Sequence, residues 1–432
     1  MQFCELSEEE YIAFSSDHPY MSFNQDYRWG KLKSHTGWQY YLLGVKEDDK
    51  IIGATMLLSK PIFLNNQMMY APRGYLLDYN DWDLLKFFTY SIKEFAKRHH
   101  AIFVKIDPYV IAKERDIDGN VIPGGIDNTK AVEALKKLGY KHGGYTIGLD
   151  DLQPRWAFAI YLKGRSKEEL FKNFEAKTRQ MINKNERNGI YVRNIDTTQI
   201  HEFYEIMKHT AERRGFIERP ESYYRDMVEE FKDNCKISIA ELNLDHYLDG
   251  LNQQIKDLEK DNQNKQKDID EGVKKINVRK TQNKINDNLN NIKRLNKKKT
   301  DGEALKAKHG SILKLGGIIF LIEKHEILSL FGGAYDEYMD FLSPYTTNWE
   351  MIKYAADNGF AKYNFYGISG KLNDKTDEMY GLYDFKRGFG GSVDEYLGEF
   401  DLIINKPLYR LYHQAFEMLM QRRLKRSHKK VK

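Results

Sequence analysis

The sequence predicts an α/β protein built from two related units, with a helical arm inserted in the second. Three observations carry this. Residues 38–107 read as strand, strand, strand, helix, strand, and residues 236–369 repeat that order. The hairpin that is short in the first copy is interrupted in the second by a very polar run, residues 243–308.

In the first copy, "WQYYLLGVKE" and "IIGATMLLSK" are strands joined by a four-residue turn around Asp48 and Asp49. A strand at "QMMYAPRG" follows. A helix then starts at Asp81, with Leu84, Leu85, Phe88, Ile92 and Phe95 on one face, and "AIFVKIDP" closes the unit. In the second copy the strands are "KISIAEL", "LGGIIFLIEK" and "EILSLFGGAY". A helix is expected from about Asn348, so that "NWE" matches "DWD" of the first copy, and "AKYNFYGISG" closes the unit. "AVEALKKLGYKHGGYTIGL" adds a helix and a strand to the first copy. Within the polar insert, Leu244, Leu248, Leu251, Ile255 and Leu258 alternate spacings of four and three, and Ile285, Leu289 and Ile292 resume the pattern. An insertion in a hairpin must return to its start, so an antiparallel two-helix coiled-coil arm is expected. The competing reading by composition is a disordered polar linker. The arm's lysines suit RNA or a partner, or are simply a solvated face.

At 432 residues, 41% hydrophobic and 13% aromatic, the chain can bury two cores and carry an extension. The net charge of +5 is a mild basic excess. Cys4 and Cys235 make neither a disulfide framework nor a metal motif, and "MQFCELSEEEYIAF" lacks the pattern of a signal peptide. A soluble protein of a reducing cytoplasm is expected.

No Walker loop, GxGxxG, GxSxG or HExxH is present. "RGFGGS", residues 387–392, approaches the pyrophosphate loop of coenzyme A-dependent acetyltransferases but misses its final glycine. Cationic positions are the positive signals. "GLYDFKRGFGG" sets Lys386 and Arg387 between Phe385 and Phe389, to hold a phosphate, to steady an oxyanion or to cap a helix. "WGKLK" and "YAPRG" place Lys31 and Arg73 near the first sheet. "RRGFIERPESYY" gathers Arg213, Arg214, Arg219, Tyr223 and Tyr224, with Arg219 held extended before Pro220. It suits phosphate or carboxylate recognition, or plain loop anchoring. "RSKEELFKNFEAKTRQMINKNERNGI" reads as one helix opened by a Ser166/Glu169 capping box. It presents Lys172, Lys177, Arg179, Lys184 and Arg187 to phosphates or only to water. The C-terminus, 405–432, is an amphipathic helix ending in a basic cluster. Such a tail docks on an anionic leaflet at about 1 kcal/mol per cation, or does nothing specific.

Taken together and in order, "YAPRGYLLDY", "KIDPYV", "KYNFYGISG" and "GLYDFKRGFGG", with the two related units and the two-helix insertion, resemble the Fem family. These aminoacyl-tRNA-dependent transferases build peptidoglycan cross-bridges. The resemblance implies two GNAT-like (acyl-CoA N-acyltransferase) domains. The first is 1–150, completed by 396–432, and the second is 151–242 and 309–395, split by the arm at 243–308. It implies transfer of glycine, alanine or serine from aminoacyl-tRNA to the side-chain amine of a stem peptide, on lipid II or UDP-MurNAc-pentapeptide. No cofactor is implied beyond that co-substrate. Implied partners are aminoacyl-tRNA, the acceptor, the inner face of the cytoplasmic membrane, and other Fem-type transferases or a second copy of the chain.

Residue by residue, the catalytic Phe-Lys pair of the family matches Phe385 and Lys386. Lys31 and Arg219 match holders of the precursor's phosphates, Tyr223 a tyrosine lining that site, and Asp107 an acidic residue there. Phe331 replaces a family tyrosine and loses its hydroxyl. Arg73 and Tyr366, within the shared motifs, are expected to bind substrate, and Lys177, Arg179 and Lys184 to bind tRNA. The alternatives are a coenzyme A-dependent N-acyltransferase and a non-catalytic tRNA-binding factor. Aminolysis of an ester places charge on the former carbonyl oxygen, where a fixed ammonium such as Lys386 would stabilise it. The attacking amine must be neutral although its ordinary pKa is about 10.4. Asp107 is the acid nominated to take its proton, unless the substrate does so itself.

Overall fold

Strand-forming runs separate into two sheets in a computed structural model, which describes residues 1–416 and 418 apart from 64, 150, 274 and 275. The first sheet runs β1 (Gln2–Glu5), β2 (Gln39–Glu47), β3 (Lys50–Phe63), β4 (Asn66–Ala71), β5 (Ala101–Ile106), β15 (Phe400–Ile403), β7 (Tyr140–His142). The second runs β6 (Ile111–Glu114), β14 (Ser392–Tyr396), β8 (Trp156–Tyr161), β13 (Lys362–Gly367), β12 (Glu326–Ala334), β11 (Ile312–Ile322), β10 (Cys235–Asn243), β9 (Ile190–Ile195).

In the first sheet β2, β3 and β4 form an antiparallel meander, and β4 pairs parallel with β5 after helix α3 (Trp82–Arg98). In the second, β10, β11 and β12 do the same, and β12 pairs parallel with β13 after α11 (Ser343–Asp357). Parallel neighbours need such a crossover. The remaining helices are α1 (Glu8–Ser15), α2 (Tyr27–Ser34), α4 (Thr129–Lys137), α5 (Lys167–Asn173), α6 (Ala176–Arg187), α7 (Ile200–Arg214), α8 (Glu221–Phe231), α9 (Leu244–Asp270), α10 (Val278–His309) and α12 (Tyr380–Arg387), with a last helix over 406–416.

Several elements differ from the sequence reading. The β2–β3 turn has two residues rather than four, with Asp48 and Asp49 both at positive φ, as a tight hairpin requires. Helix α11 begins at Ser343 rather than near Asn348. Pro344 occupies its first turn, so "NWE" lies inside the helix and does not match the start of α3. The expected single helix over 166–187 breaks at Phe174. That residue is extended and buried against Trp349 and Phe389, and the Glu175 amide donates to the Gly388 carbonyl. The capping box on α5 forms as read. Strand β6, from the first segment, pairs with β14 in the second sheet, while β15 lies between β5 and β7 in the first.

Helices α9 and α10 pack antiparallel, tied at one end by Lys306 to Asp245. Leu251, Ile255 and Ile285 are buried in the seam. Leu289 is 53% exposed. Asn288 turns inward instead and donates to Asp261 and Asn262, both at 2.8 Å. A polar pair satisfied in this way fixes the register of two helices.

One core fills the outer face of the first sheet beneath α3 and α4. Another covers the outer face of the second sheet with α5, α6 and α11. A third joins the halves: Met56, Leu58 and Tyr70 of the first sheet meet Ile237 and Ile319 of the second sheet, with Phe203 of α7 and Tyr223 of α8. The candidate residues gather along the margin of this shared core. Among the described residues no helix is long and apolar enough to cross a membrane. The basic cluster of the tail, 419–432, lies outside the described residues.

Candidate functional site

Lys386 lies in the last turn of α12, and it is buried, 6% exposed. Its ammonium donates to the carbonyls of Gly367 (2.7 Å) and Tyr366 (3.3 Å), where β13 finishes. Among the described residues no carboxylate lies within ion-pair distance of it, and burial lowers its pKa from 10.5 to about 7. Phe385 packs edge-on against Tyr345 (4.8 Å) and Phe389 (5.4 Å), closing the niche with apolar surface. Arg387 turns away to ion-pair with Asp118 (2.9 Å) and Glu175. The two cations of this motif therefore have different jobs: Arg387 anchors the helix end and Lys386 is left as a lone buried charge.

The glycines around them are structural. A Cβ on Gly388 would meet Thr178 Oγ1 at 2.3 Å, and one on Gly391, at φ +142°, would meet the Ala159 carbonyl oxygen at 2.3 Å. Gly391→Ala is therefore expected to cost about 2 kcal/mol or more, read as a lower urea midpoint with unchanged slope.

Tyr366 links this niche to the rest. It adopts φ +65°, rare for a side-chain-bearing residue, and its amide donates to Asn364 Oδ1 (2.7 Å) while its hydroxyl donates to Gln153. Burial pushes its hydroxyl pKa up to about 12. Arg73 and Arg219 oppose that shift, whereas Asp107 and Tyr223 reinforce it. Four of the predicted residues thus lie within electrostatic reach of this one hydroxyl. Arg73 is 2% exposed; its guanidinium sits over Tyr396 (4.6 Å) and Tyr109 (5.3 Å) and donates to the Pro154 carbonyl (3.2 Å). Asp107 accepts the Arg73 amide at 2.8 Å and lies 3.8 Å from its guanidinium. Burial raises Asp107 to about 7, against the pull of Arg73. These contacts make Asp107 a holder of Arg73; none joins it to Lys386.

A group of cations lies beyond Tyr366. Arg219 stands over Phe331 (4.4 Å) and Tyr223 (5.3 Å). Facing it is Lys33, whose ammonium packs over Trp29 (4.6 Å) and within 6.0 Å of the Tyr223 ring. Burial lowers Lys33 to about 8, and repulsion from Arg219 and Lys60 adds to the shift. Lys60 in turn sits 5.3 Å over Trp38. Among the described residues none of the three has a carboxylate at ion-pair distance. Three cations without a carboxylate partner, close enough to repel one another, make a candidate anion site.

Lys31, the residue predicted for that role, points elsewhere. It is ion-paired with Glu8 at 2.9 Å over the Tyr27 ring. Two residues along a helix is more than half a turn, so Lys31 and Lys33 face nearly opposite ways. Sequence reasoning missed Lys33 and Lys60. The signal for Lys33 was its spacing of four from Trp29, which puts both on the buried face of α2. Of the predicted tRNA contacts, Lys177 is exposed and Lys184 half-buried. Arg179 is committed to the carbonyls of Lys172 (3.0 Å) and Phe174, where it caps α5.

The chain matches the model of the FemAB family over residues 6–416. It is 31% identical over 414 residues to the aminoacyltransferase FemA of Staphylococcus aureus strains, covering 95% of this chain and 97% of the relative. It also superposes on a crystal structure of FemX with a TM-score of 0.74 at 30% identity, covering 95% of this chain and 99% of that one.

Proposed function

The chain belongs to the FemAB family, and on that premise we propose that it transfers an amino acid from aminoacyl-tRNA to the side-chain amine of a peptidoglycan stem peptide. In this reading glycine, alanine or serine is moved, the acceptor is lipid II or its UDP-linked form, and each half is a GNAT-like domain. The repeated strand pairing of the two units supports the last point. The observation that carries the reaction is Lys386, buried with no counter-ion among the described residues. Burying an uncompensated lysine costs stability, so its presence calls for a chemical reason.

The reaction joins the acceptor nitrogen to the ester carbon, places charge on the carbonyl oxygen, and then breaks the bond to the ribose oxygen, which takes a proton. With a pKa of about 7, Lys386 is present in both forms near neutrality. Charged, it stabilises the oxyanion in a niche that Phe385 and Phe389 keep dry. It then supplies the proton that the ribose oxygen needs, and the neutral amine left behind accepts one from the attacking nitrogen. Asp107 serves by holding Arg73. Arg219, Lys33 and Lys60 take the acceptor's diphosphate, while Lys177 and Lys184 are assigned to the tRNA backbone.

Incubating the protein with mixed charged tRNAs and either acceptor, then weighing the products, tests this directly. A gain of one aminoacyl mass, dependent on charged tRNA, is expected. Acetyl transfer from acetyl-CoA without that dependence would favour the coenzyme A reading.

A further inference from the structure

Between α7 and α8 the chain crosses a short loop whose C-terminal part, Glu218 and Arg219, packs on α8 while its tip stands free. Gly215 ends α7 in the left-handed conformation, and after it Phe216 is 43% exposed and Ile217 is 94% exposed. Singly exposed apolar residues are ordinary, but a nearly bare isoleucine beside a phenylalanine at the tip of a loop is not. Its surroundings carry both signs, with Glu212, Glu218 and Glu221 set among the arginines. Arg213 is tied to Asp336 at 2.8 Å, which fixes the base of the loop, and Arg214 is exposed with no ion pair among the described residues. Arg219 follows two residues after Ile217 and opens onto Lys33 and Lys60.

A second element lies on the same face of the first sheet. Strand alternation puts Met56, Leu58 and Lys60 of β3 on one face with Met68 and Tyr70 of β4. The helix over 406–416 covers that face at Met68 and Phe103 through Tyr409, while exposing Leu411, Phe416, Lys406 and Arg410. Exposed apolar tips accompanied by the exposed cations Arg214, Lys406 and Arg410, together with the Lys33, Lys60 and Arg219 group, match the chemistry of an anionic lipid surface. There the apolar groups enter the acyl boundary and the cations stay among phosphates.

We propose that the Phe216–Ile217 loop is a bilayer-insertion element, which brings the Lys33/Lys60/Arg219 site to headgroup level so that it takes the diphosphate of a lipid-linked acceptor. The identity of the acceptor rests on the transferase reading; the bilayer contact does not.

The test uses the full chain with Cys4→Ser and Ile217→Cys, carrying an environment-sensitive fluorophore at 217. It is mixed with phosphatidylcholine vesicles with or without about one quarter phosphatidylglycerol. Emission should rise several-fold only with the anionic vesicles. In the otherwise unaltered chain, Ile217→Asp should lower vesicle partitioning about tenfold, and transfer to lipid-linked acceptor with it, while transfer to the UDP-linked acceptor stays unchanged. No response to anionic vesicles overturns the proposal. So does a response to tRNA, or to concentrating the protein alone, which would assign the tip to RNA or to a second copy. A vesicle response without transfer to either acceptor supports the insertion element and removes the transferase reading.

Discussion

Lys386→Met should fold more stably than the unaltered chain and lose about a hundred- to a thousandfold in transfer rate. Both halves follow from the same burial. In the folded chain the ammonium has a pKa of about 7 instead of 10.5. Below pH 7 the folded and unfolded chains both hold the proton, and the full penalty is present. Between about 7 and 10.5 the unfolded chain keeps a proton that the folded chain has released, so stability rises with pH across that window. Above 10.5 both are neutral and the penalty is gone. Methionine removes the charge at similar volume. It leaves two carbonyls without a donor, so the net gain at pH 7 is on the order of 1–3 kcal/mol. Urea unfolding at pH 7 and pH 10 should show an advantage for the variant that shrinks as pH rises. A purely structural lysine would give the opposite result, lower stability with transfer intact.

The second large effect is expected from the cations around Tyr223. Arg219→Ala and Lys33→Ala should each lower kcat/KM for a diphosphate-bearing acceptor about ten- to a hundredfold, chiefly through KM, since each removes a charge-assisted contact to phosphate. Lys31→Ala, whose partner is Glu8, should change it by no more than about twofold. Lys33 binds phosphate as an ammonium and its pKa lies near 8, so KM should climb as pH rises past 8. Loss of the acceptor effect in Lys31→Ala but not in Lys33→Ala would reverse the assignment.

These contrasts mark what a one-dimensional reading can reach. The duplicated unit was legible because each meander and its crossover helix has its own periodicity, as the matching pairings of β2–β5 and β10–β13 show. Phe385, Lys386, Arg219, Tyr223 and Tyr366 were legible as motif positions. Which of Lys31 and Lys33 turns inward was legible only in part: the spacing of Lys33 from Trp29 hints at it, but rotation about α2 is set by Trp29 and Leu32 docking into the shared core. The break at Phe174 was hidden: it comes from the aromatic pocket of Trp349 and Phe389, distant in sequence. Asp107 illustrates the remaining limit. An acid before proline carries no sign of which cation it will hold, and only the fold brings Arg73 to it.

The exchange of β6 and β15 between the sheets has a consequence for how the molecule is made. A ribosome releases β5 and β7 long before Phe400 emerges, yet β15 is the strand that lies between them. Until then the nascent first half presents two bare strand edges, while β6 waits for β14. The halves are stitched to each other, so neither can finish folding during synthesis without the other, and cleavage anywhere between residues 115 and 390 would leave both sheets short of a strand from across the cut.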